Sequence, residues 1–102
     1  MLLRALLVSL LLSVSALAAQ APAGFPAAQQ LVQQGKLEEA ITQLRAITEQ
    51  APNFAPGWHL YGYALHAVGR YEEALPAHAK AASFPGTAAL GAYNLACVNA
   101  LL

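Results

Sequence analysis

The chain has 102 residues, a formal net charge of zero, and 58% hydrophobic against 10% charged residues. That length implies one domain, and a neutral chain with a pI near 6.8 has no basic excess to attract nucleic acid or anionic lipid. The single cysteine, Cys97, excludes an intramolecular disulfide, so stability must come from packing or from a partner.

The N-terminus reads as an address. Arg4 supplies a positive start, Ala5 to Val14 is apolar apart from Ser9 and Ser13, and Ser15-Ala16-Leu17-Ala18-Ala19 follows with small residues at alternate positions. This is the pattern of a secretory signal over residues 1–18, cut after Ala18. Cleavage after Ala21 is the weaker choice, because Pro22 would follow the cut. The apolar run is shorter than the ~20 residues of a membrane-spanning helix, so an uncleaved anchor is the lesser reading.

Beyond the signal, Gly35-Lys36-Leu37-Glu38-Glu39-Ala40 returns 34 residues later as Gly69-Arg70-Tyr71-Glu72-Glu73-Ala74. The same offset links Ala21-Pro22 to Ala55-Pro56, Leu31 to Leu65, Ile47 to Ala81, and Ala28 to Gly62 and then Ala96. One register held by so many pairs is an internal repeat. Gly35 and Gly69 are helix stops, since a residue of positive φ closes a last turn cheaply. The acidic pairs that follow then fall in the first turn of the next helix, favoured by its positive end. Ala51-Pro52-Asn53 and Phe84-Pro85-Gly86 punctuate the repeat boundaries. These signals predict helices near 23–34, 37–50, 55–68, 71–83 and 87–102. Small residues at Ala28, Gly62 and Ala96 let paired helices approach closely, and Ala40 and Ala74 face the partner helix. Pro76 falls inside the fourth helix and is expected to bend or loosen it.

Trp58, Gly62, Leu65, Gly69, Tyr71, Ala74 and Ala81 together resemble the tetratricopeptide repeat. The earlier copy carries Ala28, Leu31, Gly35, Leu37, Ala40, Leu44, Ile47 and Pro52, and a third begins near Ala89 with Tyr93-Asn94-Leu95-Ala96. The resemblance covers residues 21–102, as copies over about 21–54 and 55–88 and a partial one over 89–102. It implies an all-α fold, helix-turn-helix repeats stacked as a short right-handed α-solenoid of about two and a half repeats. Trp58 and Tyr71 then occupy packing places, and truncating Trp58 is expected to cost ~3–5 kcal/mol.

In that family the first helices of successive repeats line a concave groove that holds a partner segment. The resemblance puts Phe25, Gln29 and Gln33 there from the first copy. It adds His59, Tyr63 and His66 from the second, and Tyr93, Asn94, Cys97, Ala100 and Leu101 from the third. A subclass grips C-terminal carboxylates with lysines, arginines and asparagines. Phe25, Gln29, His59 and Tyr63 stand at the matching positions here, with Asn94 the nearest relic, which argues against that activity.

His59, His66 and His78 invite a metal, but His59 and His66 are ~10.5 Å apart along one helix, too far for two ligands of one zinc. His78 takes a place usually filled by a large apolar side chain and reads as a packed histidine. Cys97 lies in no redox or hydrolase signature and reads as a small helix-interior residue. No phosphate loop, dinucleotide fingerprint or serine-hydrolase elbow is present.

The expectation is therefore an exported, periplasmic or secreted interaction module, not an enzyme. It has no cofactor and no metal, it has a protein or peptide partner, and its only membrane contact is an uncleaved signal. Two other readings are the front part of a larger exported protein or enzyme, and a structural homodimer through the C-terminal helix. Both are motivated by Leu95, Val98, Leu101 and Leu102, which leave that helix apolar on more than one side, where a terminal repeat needs a polar outer face.

Overall fold

A computed structural model of the chain describes residues 21–102, and the export signal read over residues 1–18 lies outside them. All the regular structure among the described residues is helical: α1 (Phe25–Gln33), α2 (Leu37–Gln50), α3 (Ala55–Ala67), α4 (Tyr71–Ala82) and α5 (Ala88–Leu101). Each lies within the span expected for it: α2 matches at both ends, and the others are shorter by one or two residues at one or both ends.

The turns explain the periodicity. Gly35 and Gly69 have φ of +75° and +82°, the only positive values among the described residues. After α1, the Gly35 N–H donates to the Val32 carbonyl (3.0 Å) and the Lys36 N–H to that of Leu31 (2.9 Å). After α3, Gly69 and Arg70 do the same to His66 (3.0 Å) and Leu65 (2.9 Å). This is one two-bond glycine stop used twice, satisfying carbonyls that the helix end would otherwise orphan. The acidic pairs Glu38-Glu39 and Glu72-Glu73 occupy the next first turns. Prolines open α1 and α3, where a missing N–H costs nothing.

Consecutive helices pack on one another. In addition α1 touches α3 and α3 touches α5, whereas no Cα of α2 comes within 8 Å of one in α4. So α1, α3 and α5 form one close row, and α2 and α4 sit behind it, spread apart. The core lies in the seam between the rows, where Ala28, Ala40, Leu44, Ala64, Leu65, Ala74 and Val98 are fully buried. Short side chains keep the rows close. A Cβ built on Gly91 would collide with the Ala82 backbone, so α5 can seat on α4 only with glycine there.

Side chains tie the spread row together on its outside. Arg70, at the N-cap of α4, holds Glu38 of α2 at 3.2 Å and Glu73 of its own helix at 2.7 Å. Arg45 of α2 lies 3.8 Å from the same Glu73 and donates from Nε to the Tyr61 hydroxyl. The Arg70 hydrogen bond is the main reason the Glu73 carboxyl titrates below its usual range.

Two expectations fail. Trp58 is half-buried rather than central, and its Nε1 donates to the Pro52 carbonyl at 2.8 Å. It sits one turn into α3, where the loop after α2, not the core, lies beneath it. Ala96 is exposed although its counterparts Ala28 and Gly62 are buried, because no helix lies over that side of α5 among the described residues. Pro76 lies inside α4, which runs unbroken from Tyr71 to Ala82. It is exposed, and it lacks the N–H that would donate to the Glu72 carbonyl one turn earlier.

Replacing Trp58 by alanine is accordingly expected to cost about 1–2 kcal/mol in denaturant unfolding, one hydrogen bond plus partial burial. A loss of about 4 kcal/mol or more would put the indole back in the core.

Candidate functional site

The α1–α3–α5 row carries the residues assigned to the groove, and the structure treats them unequally. Phe25 is in the core, 8% exposed, with its ring edge-on to Phe54 at 4.9 Å between centroids. It therefore leaves the set: the first turn of α1 folds inward over the α2–α3 loop. Gln29 and Gln33 are exposed on α1. His59 and His66 are half-buried on α3, with Tyr63 between them half in solvent. On α5, Tyr93 is 69% exposed, and Asn94 and Cys97 are half-buried. Cys97 is a free thiol.

The surface is neutral throughout, offering two tyrosine faces and the amide and imidazole hydrogen-bonding groups of glutamine, asparagine and histidine. Such a set binds by aromatic burial with a few directional hydrogen bonds. Among the described residues no three His, Cys, Asp or Glu side chains converge as metal ligands, and no helix is long and apolar enough to cross a membrane.

Directly beneath this face lies His78, wholly buried, with neither ring nitrogen hydrogen-bonded. In the first copy the same place is held by Leu44. The ring packs against Gly62, where a Cβ would stand 2.6 Å from Nδ1, and lies 5.9 Å from the His66 ring, which also meets Tyr71 edge-on at 5.5 Å. Burial lowers the His78 pKa below the ordinary 6.5, and positive charge on His66 and then His59 would lower it further. The third neighbouring element, α5, carries no charged side chain. His59, whose Nδ1 is buried without a partner, is also lowered by desolvation.

Two surface clefts lie away from this face, at the turns. One is lined by Gly69, Arg70, Tyr71, Glu72, Glu73 and Leu102, the other by Gln50 to Phe54. The first includes Glu72 and Leu102, which the sequence reading places in the repeat motif and on the apolar last helix but in no site.

The histidines set a pH dependence. Since folding weakens proton binding by His78, the unfolded chain holds that proton more tightly. Stability is complete above the ordinary histidine pKa of 6.5 and falls as pH drops below it. Thermal melts from pH 8 to 5 should show that loss in the native chain and a flatter profile in His78→Leu; equal slopes would rule out His78 as the source. Compared with protein-family models, curated proteins and solved structures, the chain matches none of them.

Proposed function

We propose that this is an exported tetratricopeptide-repeat module, a short right-handed α-solenoid of about two and a half repeats. It holds a segment of a partner protein against the α1–α3–α5 face and performs no chemistry itself. Support for the repeat comes from the identical glycine stops 34 residues apart and from the close inner row with a spread outer one. Support for export rests on the sequence of residues 1–18 alone.

The observation that carries the binding role is the pair Tyr63 and Tyr93, 50% and 69% exposed on adjacent helices of one row, with Tyr93 one helical turn before Cys97, the repeat counterpart of Tyr63. Tyrosine is a costly residue to leave in water and a frequent anchor in protein interfaces. The neutral hydrogen-bonding groups around them suit an uncharged or weakly charged partner segment.

A photo-reactive amino acid placed at Tyr63 or Tyr93, in cells exporting the chain, should cross-link to one discrete partner. The same group at Ala46, exposed on α2, should not. Equal cross-linking from all three sites would defeat the groove reading. An adduct of twice the chain's own mass would favour the structural homodimer. A native product much larger than residues 19–102 would favour the front part of a larger exported protein, the reading motivated by the uncharged α5 with Leu90 and Leu101 exposed.

A further inference from the structure

The inner row carries no fixed charge. Among the described residues every Lys, Arg, Asp and Glu lies on α2, on α4 or at the residue that caps one of them, and α1, α3 and α5 have none. The side chains on the row that gain charge between about pH 7 and pH 5 are therefore His59 and His66. They flank Tyr63 on α3, within an arc of about 60° that includes it. The third histidine, His78, is buried beneath the same stretch, its ring 5.9 Å from that of His66. Every histidine of the chain thus gathers around the exposed tyrosine of the middle helix.

Their surroundings do not compensate an added proton. From α4 they meet His78 and Tyr71, whose ring is edge-on to His66 at 5.5 Å. On the row itself, α1 offers Gln29 and Gln33, and α5 offers Tyr93, Asn94 and Cys97, all uncharged. From α2, Arg45 reaches α3 at Tyr61, roughly 200° round the helix from Tyr63, and Glu73 is engaged there by Arg45 and Arg70. No carboxylate pairs with any of the three imidazoles among the described residues. A charged imidazole bears a proton on both nitrogens. On His59 the second proton would make Nδ1 a buried donor without an acceptor, and His78 has no acceptor at either nitrogen.

A partner segment lying over Tyr63 also covers His59 and His66, which are half-buried before it arrives. Further loss of water disfavours their charged forms, so partner and proton compete for one face. We propose that the face holds its partner while His59 and His66 are neutral and releases it when they are protonated. The inference rests on the groove reading of the α1–α3–α5 row. Its sign follows from linkage: binding expels protons, so affinity is complete above the ordinary histidine pKa of 6.5 and falls as pH drops below it. One further unit of pKa lowering at one imidazole corresponds to about tenfold in affinity.

The test uses the full chain with a photo-reactive amino acid at Tyr93, in an extract of cells that export it, adjusted to about pH 7.5 or about pH 5. The yield of the discrete adduct should fall about tenfold or more in acid, while the purified chain keeps its helical circular dichroism. With both His59→Gln and His66→Gln the two yields should become nearly equal, and each single variant should show a smaller acid loss than the parent chain. No discrete adduct at the higher pH defeats the groove reading and this inference with it. A discrete adduct equally strong at both pH values overturns the inference alone. A stronger adduct in acid overturns it in favour of an acidic segment drawn to charged imidazoles. An acid loss undiminished in the double variant or in both single variants overturns it by placing the titration in the partner. A loss that tracks the melting of the helical signal overturns it in favour of unfolding through His78.

Discussion

The missing side chains of Gly62 and Gly91 fix the position of α4, and α4 fixes nearly everything else. A Cβ at Gly62 would press into the His78 ring, and one at Gly91 would strike the Ala82 backbone and stand 2.8 Å from the His78 carbonyl. With both absent, α4 is held between α3 and α5 at a spacing no other residue pair would permit. That spacing buries His78 completely and strips its nitrogens of partners. Close packing and a histidine that must stay neutral are thus one fact. The stability won by contact is partly offset by desolvation of the imidazole.

The outer surface works by a different logic. A glycine stop, a basic residue and an acidic pair follow one another at each turn within a copy, so every turn presents a cation ahead of two carboxylates. Arg70 uses this to reach both backward to Glu38 and forward to Glu73. Single exposed pairs of this kind contribute little to stability. They join the start of α4 to the start of α2, two helices that do not otherwise pack on each other. The inner row, by contrast, has tyrosines and amides and no fixed charge.

Much of this was legible in the sequence because a repeat is read by comparison with itself. The α2 limits, the two glycine stops and the burial of Ala40, Ala74 and Ala81 follow from residue type at a fixed offset. The offset says which face a residue occupies, but not whether anything covers that face. Ala96 has the right register and is open, while Phe25 was placed in the groove and is buried by Phe54 from the following loop. Trp58 was misjudged for a related reason: its helix position is a packing position, but the loop carbonyl of Pro52 holds it at the edge. The close approach at Gly91 was not visible at all, since a glycine near a helix start is ordinarily explained by the turn beside it.

Pro76 and the packing around it bear on the order in which the structure comes apart. Pro76 removes one rung from the backbone ladder of α4, just past the first turn. The main packing of α5 is against α4, with only slight contact to α3. A repeat array opens from whichever end is more weakly coupled to its neighbours. Because α5 packs on α4 more extensively than α1 packs on α2, fraying begins at the α1 end, and the missing rung at Pro76 is tolerated where α3 and α5 hold α4 from both sides.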